Sequence, residues 1–222
     1  MTNNNNWQPK AIIFDMDGLL VDSEPIWHEA ETAMIEARGH VYTPEVRAQI
    51  IGLRLDEFVE ILHTVYNFNE SHDAIIQEVT DRMLALIPLR VTVKPGAQEV
   101  IDYVVGQGFP VAIASSSPLS IIEATVQSQN WQDIIPIRCS ADAVARGKPA
   151  PDVYLKAAEL LGVDPADCLA LEDSPPGARA AVSAGMVCYA VPDTTHSGLE
   201  AFDGVTPHVF HSLHDVLAVL KK

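Results

Sequence analysis

The chain of 222 residues has few cysteines and no long apolar run, and each shortage excludes a class of protein. Its three cysteines, Cys139, Cys168 and Cys188, are odd in number and widely spaced, and no C-x-x-C pair occurs. We therefore expect neither a disulfide framework nor a cysteine-based metal site, but reduced thiols in a reducing compartment. No apolar run approaches the roughly 20 residues that a membrane-spanning helix needs.

Basic residues are scarce as well. Lys and Arg together number 14, against 30 Asp and Glu, which gives a formal net charge of −16 at pH 7. Nucleic acids and anionic membranes attract basic surfaces, so we expect neither as a partner. Residues 1–6 lack a basic segment followed by an apolar one, so we expect no signal peptide and a cytoplasmic protein.

The apolar residues that are present follow two different patterns. From about residue 90 onward, short apolar strands alternate with helices, which predicts a doubly wound parallel α/β sheet. Residues 21–89 are strand-poor and show four helical patterns in succession. We therefore predict an α/β core domain of residues 1–20 and 90–222, and an inserted α-helical cap domain of residues 21–89 with a small core of its own.

Three further predictions concern two single strands and the start of one helix. A strand is expected near residues 135–137, and a weak strand at residues 208–210 near the end of the chain. Ser23 precedes Pro25 at the start of the first cap helix, so its side chain is expected to cap that helix.

The first strand ends in a pair of carboxylates. Residues 11–14 form an apolar run typical of a buried strand, and Asp15 and Asp17 follow immediately. Buried charges need partners, and a metal ion is a common partner of clustered carboxylates. Asp and Gly are also ordinary turn residues, so this motif alone leaves a simple strand-to-loop turn equally open.

Polar side chains also follow three later strands. Residues 115–117 (Ser-Ser-Ser) come after the second strand, residues 147–149 (Gly-Lys-Pro) lie in the loop after the third, and residues 172–173 (Glu-Asp) follow the fourth. Ligands of doubly wound sheets bind beyond the carboxyl ends of the strands, so these groups are expected to converge. Carboxylates suit Mg²⁺, hydroxyls and backbone N–H groups suit phosphate oxygens, and a lysine adds positive charge. The combination predicts phosphoryl transfer through an aspartyl-phosphate.

At these positions the chain resembles the haloacid dehalogenase superfamily, in its phosphatase and phosphomutase branch. The resemblance covers nearly the whole chain, in the family's order and rough spacing, and rests on the stretches FDMDGLLVDSE, AIASSSP, GKPAPDVY and LALEDS. It implies a Rossmann-like core with a helical cap inserted after the first motif. A closer similarity, to the bacterial hexitol-phosphate and 2-deoxyglucose-6-phosphate phosphatases, rests on GLLVDSEPIW, GLRLDEFV, ASSSP and LGVDPADCLALEDS.

The resemblance implies a role for each matching residue. Asp15 resembles the nucleophile, which is also a metal ligand, and Asp17 resembles the general acid/base, whose backbone carbonyl contacts the metal. Ser115 and the backbone of Ser116 resemble the phosphate-binding loop. Lys148 resembles the lysine that bridges the nucleophile and the phosphate.

The fourth motif completes the implied metal site. Asp173 resembles a third metal ligand, and Glu172 resembles either a further ligand or a residue that supports the ligands. The resemblance thus implies a Mg²⁺-dependent phosphatase of small hexose or hexitol phosphates. Asp17 also argues against dehalogenation, because the dehalogenase branch carries Tyr at that position.

The cap is expected to set the choice of substrate by closing over the site. Arg54 is a candidate for substrate contact, because a guanidinium suits phosphate or sugar hydroxyls. An exposed arginine at the start of a helix is the alternative interpretation. Glu24, Trp27 and His28 are further candidates for lining the cleft. The alternatives are that Trp27 packs inside the cap and that the role of Glu24 is limited to fixing the hinge between cap and core.

Two alternative functions stay open at this stage. A β-phosphoglucomutase shares all four motifs, but the cap of that family carries basic residues for a second phosphate. This chain has no lysine between Lys10 and Lys94, which favours a phosphatase. A non-catalytic protein that binds phosphate ligands on the same fold is the second alternative. No exposed apolar patch is obvious, so a monomer is expected.

Overall fold

The computed structural model describes residues 7–193 and 198–222. In chain order the strands are β1 (Ala11–Phe14), β2 (Val21–Asp22), β3 (Thr92–Val93), β4 (Val111–Ser115), β5 (Ile137–Ser140), β6 (Cys168–Glu172) and β7 (Val187–Ala190). The α-helices are α1 (Glu24–Glu36), α2 (Pro44–Ile50), α3 (Leu55–Tyr66), α4 (His72–Arg90), α5 (Ala97–Gly106), α6 (Leu119–Ser128), α7 (Asp152–Leu161), α8 (Pro175–Ser183) and α9 (Leu213–Leu220).

The core of the fold is a five-stranded sheet in the order β5-β4-β1-β6-β7, and every neighbouring pair is parallel. Side chains alternate along a strand, so Ile12 and Phe14 of β1 face one side and Ala11 and Ile13 the other. The first side packs against α5, α6 and α9, and the second against α7 and α8. The predicted doubly wound parallel sheet is therefore confirmed.

Strands β2 and β3 form a short antiparallel ribbon that the sequence pattern did not reveal. Val21 pairs with Val93 and Asp22 with Thr92, so the chain leaves the core and returns to it at one place. Two residues are too few to show a period-two pattern. The four predicted helices α1 to α4 lie between these strands, while the domain boundaries at residues 21 and 89 stay a prediction.

The apolar side chains of the four helices are continuous with those of the core. Ile26 of α1 and Phe58 of α3 belong to the same buried cluster as Ile12 of β1 and Ile113 of β4. Leu20, buried just before β2, belongs to this cluster too. The apolar interior of the cap therefore continues into one side of the sheet, and the expectation that the cap has a small core of its own stays a prediction.

Two weaker strand predictions need correction. The strand expected near residues 135–137 begins only at Ile137. Residues 208–210 make a single bridge, between Val209 and Ala190, instead of a strand. The three cysteines are free and buried. No helix in the described ranges is long and apolar enough to span a membrane.

Candidate active site

The polar groups from four strand ends meet at the carboxyl edge of the sheet and border a cavity of about 440 Å³. The core side of this cavity is lined by Asp15, Asp17, Ser115, Ser116, Ser117, Lys148 and Asp173. The opposite side, which we call the cap wall, is lined by Glu24, Trp27, Glu31, Arg47, Leu55 and Phe58. The predicted convergence at the strand ends is what the geometry shows.

Asp15 and Lys148 form a buried ion pair at the bottom of the cavity. The backbone N–H of Asp15 donates to the carbonyl of Leu171 at 2.9 Å, which continues the β1–β6 pairing and fixes the start of the loop. Nζ of Lys148 lies 2.5 Å from Oδ1 of Asp15 and 2.7 Å from Oε1 of Glu172. Burial raises the pKa of Asp15 to about 8 against the opposing effect of Lys148. Although burial lowers the pKa of Lys148, its two carboxylate partners raise it above the ordinary value, so the lysine is charged.

Glu172 is fully buried, and both of its carboxylate oxygens already accept hydrogen bonds. Besides Lys148, the Tyr154 hydroxyl donates to Oε1 at 2.9 Å. Oε2 accepts at 3.0 Å from the backbone N–H of Asp173 and from both the N–H and the hydroxyl of Ser174. The carboxylate is therefore held from several directions, and it fixes the position of the lysine.

Gly177→Ala is expected to disturb this arrangement. A Cβ at Gly177 would lie 1.7 Å from Oε1 of Glu172, and a shift of the carboxylate would disturb the hydrogen bonds that hold it. We expect the free energy of unfolding in urea to fall by about 1–3 kcal/mol, as in other overpacked sites. The matched control is Gly106→Ala at the end of α5, where a Cβ would have no described atom within 4 Å apart from its chain neighbours and the backbone of its own helix. Equal stability of the two variants would contradict the expectation.

Asp17 is surrounded by hydrogen-bond donors. Its Oδ1 accepts from the Ser23 hydroxyl at 2.6 Å and from Nε1 of Trp27 at 3.4 Å. Its Oδ2 accepts from the hydroxyls of Ser115 at 3.2 Å and Ser117 at 2.8 Å. Ser23 makes no side-chain capping bond within the described chain, so the predicted cap of α1 is wrong and its hydroxyl serves Asp17 instead.

The acidic cluster fits a divalent cation. Carboxylate oxygens of Asp15, Glu172 and Asp173 lie within 4.8 Å of one another, and all three residues are buried. Oδ1 of Asp173 is buried without a hydrogen-bond partner in the part of the chain that the structure describes. Burial, with Asp15 and Glu172 adding to it, raises the pKa of Asp173 well above its usual range. Because Glu172 is already saturated with donors, the oxygens left for a cation are those of Asp15 and Asp173, an all-oxygen set of the kind that Mg²⁺ prefers.

Gly18 allows the turn to approach these carboxylates closely. Its φ is +82°, a conformation that residues with a Cβ rarely adopt, and a Cβ there would lie 2.2 Å from Oδ2 of Asp173. The glycine that follows Asp17 therefore lets the turn after β1 come into close contact with Asp173 at the end of β6.

The cap wall carries two pairs of polar side chains. Nη2 of Arg47 lies 2.8 Å from Oε2 of Glu24, and the Tyr42 hydroxyl donates to Oε2 of Glu31 at 2.6 Å. Burial raises the pKa of Glu24 and of Glu31 to about 7. Sequence reasoning missed Arg47, because nothing in the helical pattern distinguishes it from the other arginines of the cap.

Arg54 is engaged elsewhere. Among the described residues it is not one of those that line the cavity. Its Nη1 donates to the carbonyls of Ala141 and Val144 at 3.2 Å each, and its Nε donates to Asp56 at 2.7 Å. Arg54 therefore connects the start of α3 to the core loop that leads to Lys148, and in this conformation it is not placed to contact a substrate in the cavity.

Of the three other cap candidates, two line the cavity and one does not. Glu24 and Trp27 line the cavity, and Trp27 also reaches Asp17. His28 lies outside the lining in the described chain, with its ring 5.5 Å from that of Tyr42.

The sequence and the fold are similar to those of known proteins. Residues 9–185 match the haloacid dehalogenase-like hydrolase family. Hexitol phosphatase B of Escherichia coli strain K12 is 36% identical over 184 residues, which are 82% of this chain and 83% of that protein. The phosphorylated carbohydrates phosphatase of Thermotoga maritima is 29% identical over 212 residues, which are 96% of this chain and 90% of that protein. The crystal structure of CbbY from Rhodobacter sphaeroides in complex with phosphate aligns with a TM-score of 0.88 at 26% identity, over 97% of this chain and 100% of that one.

Proposed function

The chain belongs to the haloacid dehalogenase-like hydrolase family and is a phosphomonoester hydrolase, and we propose that it acts on small sugar or polyol phosphates through an aspartyl-phosphate. The observation that carries the proposal is the buried Asp15 carboxylate, held by Lys148 and facing a cavity beside Asp17. Two similar proteins are named for hexitol and carbohydrate phosphates, which supports this choice of substrate class.

In the first step Asp15 would act as the nucleophile. An oxygen of its carboxylate forms a bond to phosphorus while the bond from phosphorus to the sugar oxygen breaks. Lys148, already paired with Asp15, adds positive charge beside the phosphoryl oxygens. The hydroxyl of Ser115 and the backbone N–H of Ser116 are the proposed partners of those oxygens, since both residues line the cavity. Asp17 gives its proton to the departing sugar oxygen.

In the second step Asp17 would act as a base. It takes a proton from water, the water oxygen bonds to phosphorus, and the bond between phosphorus and Asp15 breaks. The hydroxyls of Ser23 and Ser117 hold the Asp17 carboxyl group in one orientation for both steps, which leaves the Ser115 hydroxyl free to turn to the phosphoryl oxygens. Trp27 and the rest of the cap wall would exclude bulk water while the phosphoenzyme exists.

Mg²⁺ is the proposed cofactor. Asp15, the backbone carbonyl of Asp17 and Asp173 would hold it, and it would supply positive charge next to the transferring phosphoryl group. The buried, partnerless Oδ1 of Asp173 supports this assignment. Glu172 would act indirectly, by fixing Lys148 and the turn at the end of β6.

A phosphate-release screen tests the proposal. Purified protein is assayed over hexose, hexitol and pentose phosphates with Mg²⁺, and again after chelation with EDTA. We expect release from at least one sugar or polyol phosphate, a loss of at least about a hundredfold without metal, and recovery when Mg²⁺ is added back.

The same screen separates the alternatives. Conversion of β-glucose 1-phosphate into glucose 6-phosphate, in place of free phosphate, would indicate a mutase. Binding of sugar phosphates without any release would indicate a non-catalytic protein. Activity that survives complete removal of metal would contradict the assignment of the carboxylate cluster.

A further inference from the structure

The cap wall is poor in positive charge for a surface that faces an anionic substrate. Among the lining residues that the structure describes, the cations are Lys148, which belongs to the catalytic centre, and Arg47. Arg47 shares its wall with two carboxylates, Glu24 and Glu31. The wall therefore carries no excess of positive charge with which to hold a second phosphate.

Arg47 is held in place by its partners. It lies on α2, whose N-terminus is capped by the Thr43 hydroxyl, and its Nη2 donates to Glu24 of α1 at 2.8 Å. The two side chains are only 23% and 19% exposed. Two helices thus fix a guanidinium and a carboxylate side by side at the cavity surface.

One donor of this guanidinium is unused. Nε of Arg47 is buried and has no hydrogen-bond partner within residues 7–193 and 198–222. That atom is enclosed by the protein, but a guanidinium carries five N–H groups, so Arg47, which lines the cavity, has donors for a ligand oxygen besides the one that binds Glu24. A carboxylate can accept several hydrogen bonds, so Glu24 can accept from a ligand hydroxyl while it keeps its bond to Arg47.

We propose that the Glu24–Arg47 pair recognises hydroxyl groups of the leaving sugar or polyol and disfavours substrates that carry a second phosphate. The inference rests on the proposed function and adds the residues that set specificity. Neighbouring hydroxyls of a sugar or polyol offer a hydrogen-bond donor beside an acceptor. The donor can bind the carboxylate of Glu24, and the acceptor can bind the guanidinium of Arg47. A second phosphate would instead meet Glu24 and Glu31, and because Arg47 is already paired, too little positive charge is left to offset them.

The test compares three substrates of equal carbon number: hexyl phosphate, glucitol 6-phosphate and glucitol 1,6-bisphosphate. Values of kcat/KM are measured for the wild-type protein and for Arg47→Met and Glu24→Gln. In Arg47→Met the ratio of glucitol 6-phosphate to hexyl phosphate is expected to fall at least about tenfold, because a site built to bind hydroxyls then loses a donor. In Glu24→Gln the bisphosphate is expected to gain at least about fivefold relative to glucitol 6-phosphate.

Arg82→Met is the matched control. Arg82 is another cap arginine paired with a glutamate, Glu78 at 2.9 Å, but among described residues it is not part of the cavity lining. Its substrate ratios are expected to stay within about twofold of the wild-type values.

Several outcomes would overturn the inference. If Arg47→Met lowers the rates for hexyl phosphate and glucitol 6-phosphate equally, the pair is structural. If wild-type protein does not prefer glucitol 6-phosphate over hexyl phosphate, hydroxyls are not recognised, although the proposed phosphatase stands. If wild-type protein releases phosphate from no sugar or polyol phosphate at all, the proposed function itself fails. Should Arg47→Met not fold, the near-isosteric Glu24→Gln decides, and unchanged bisphosphate discrimination in it contradicts the inference.

Discussion

Asp15→Asn is expected to abolish phosphate release from every sugar phosphate, by more than about a thousandfold in kcat. An amide has nearly the shape of the carboxylate but is a poor nucleophile, so no bond to phosphorus forms. It also removes the ionisable partner of Lys148. Steady-state rates with Mg²⁺ measure the loss, and intact-protein mass spectrometry after a rapid quench should detect no phosphorylated chain.

The control for this variant separates chemistry from folding. Asp133→Asn changes an exposed carboxylate that is not among the described residues lining the cavity, and it is expected to keep full activity. Asp15→Asn should also remain folded. Because burial raises the pKa of Asp15 to about 8 in the folded chain, its ionisation weakens folding as the pH rises from about 4 to 8. Without metal, the variant should therefore lose less stability over that range than the wild-type protein. Full activity in a folded Asp15→Asn would refute the aspartyl-phosphate mechanism.

The general location of the site followed from the sequence because it depends on topology. Asp15 and Lys148 are far apart in the chain, but parallel strands place all their carboxyl ends at one edge of the sheet. Residues that directly follow buried strands, such as Asp15 and Asp173, could therefore be assigned to one place without knowledge of any side-chain contact. The apolar run that predicts β1 is unbroken because both faces of this strand are buried.

The sequence could not show in the same way which cap residues line the cavity. Helical periodicity tells which face of a helix is buried, but not which arginine on that helix meets the substrate. Arg54 directly precedes α3 and donates to carbonyls of the core, whereas Arg47 of α2 lines the cavity, and the difference arises from how α2 and α3 pack on the core. Ser23 shows a related limit, because a hydroxyl at a helix start can cap the helix or donate to a neighbour. Here Asp17 is the acceptor, at 2.6 Å.

Asp17→Asn is expected to leave the phosphoenzyme trapped. With p-nitrophenyl phosphate the leaving group needs no proton, so Asp15 can still take up the phosphoryl group at a substantial rate. Hydrolysis of the aspartyl-phosphate needs a base for the attacking water, and an amide cannot serve as one. The steady-state rate should fall about 10²- to 10⁴-fold, the range typical of general acid–base catalysis. A burst of nitrophenol of one equivalent, together with one phosphoryl group per chain by mass, is the expected result.

A variant of one hydrogen-bond donor to Asp17 provides a milder comparison for Asp17→Asn. Ser23→Ala removes one of the hydroxyls that hold Asp17 and leaves its carboxyl group intact, so it should lower kcat far less and accumulate no phosphoenzyme. If Asp17→Asn hydrolysed substrate at the wild-type rate, or if the double variant Asp15→Asn, Asp17→Asn still became phosphorylated, the roles assigned to the two carboxylates would be wrong. A phosphoenzyme that hydrolyses slowly in Asp17→Asn, and no phosphoenzyme in Asp15→Asn, would instead identify Asp15 as the nucleophile and Asp17 as the acid/base. Only a protein with different groups in these two roles can stop between the two steps.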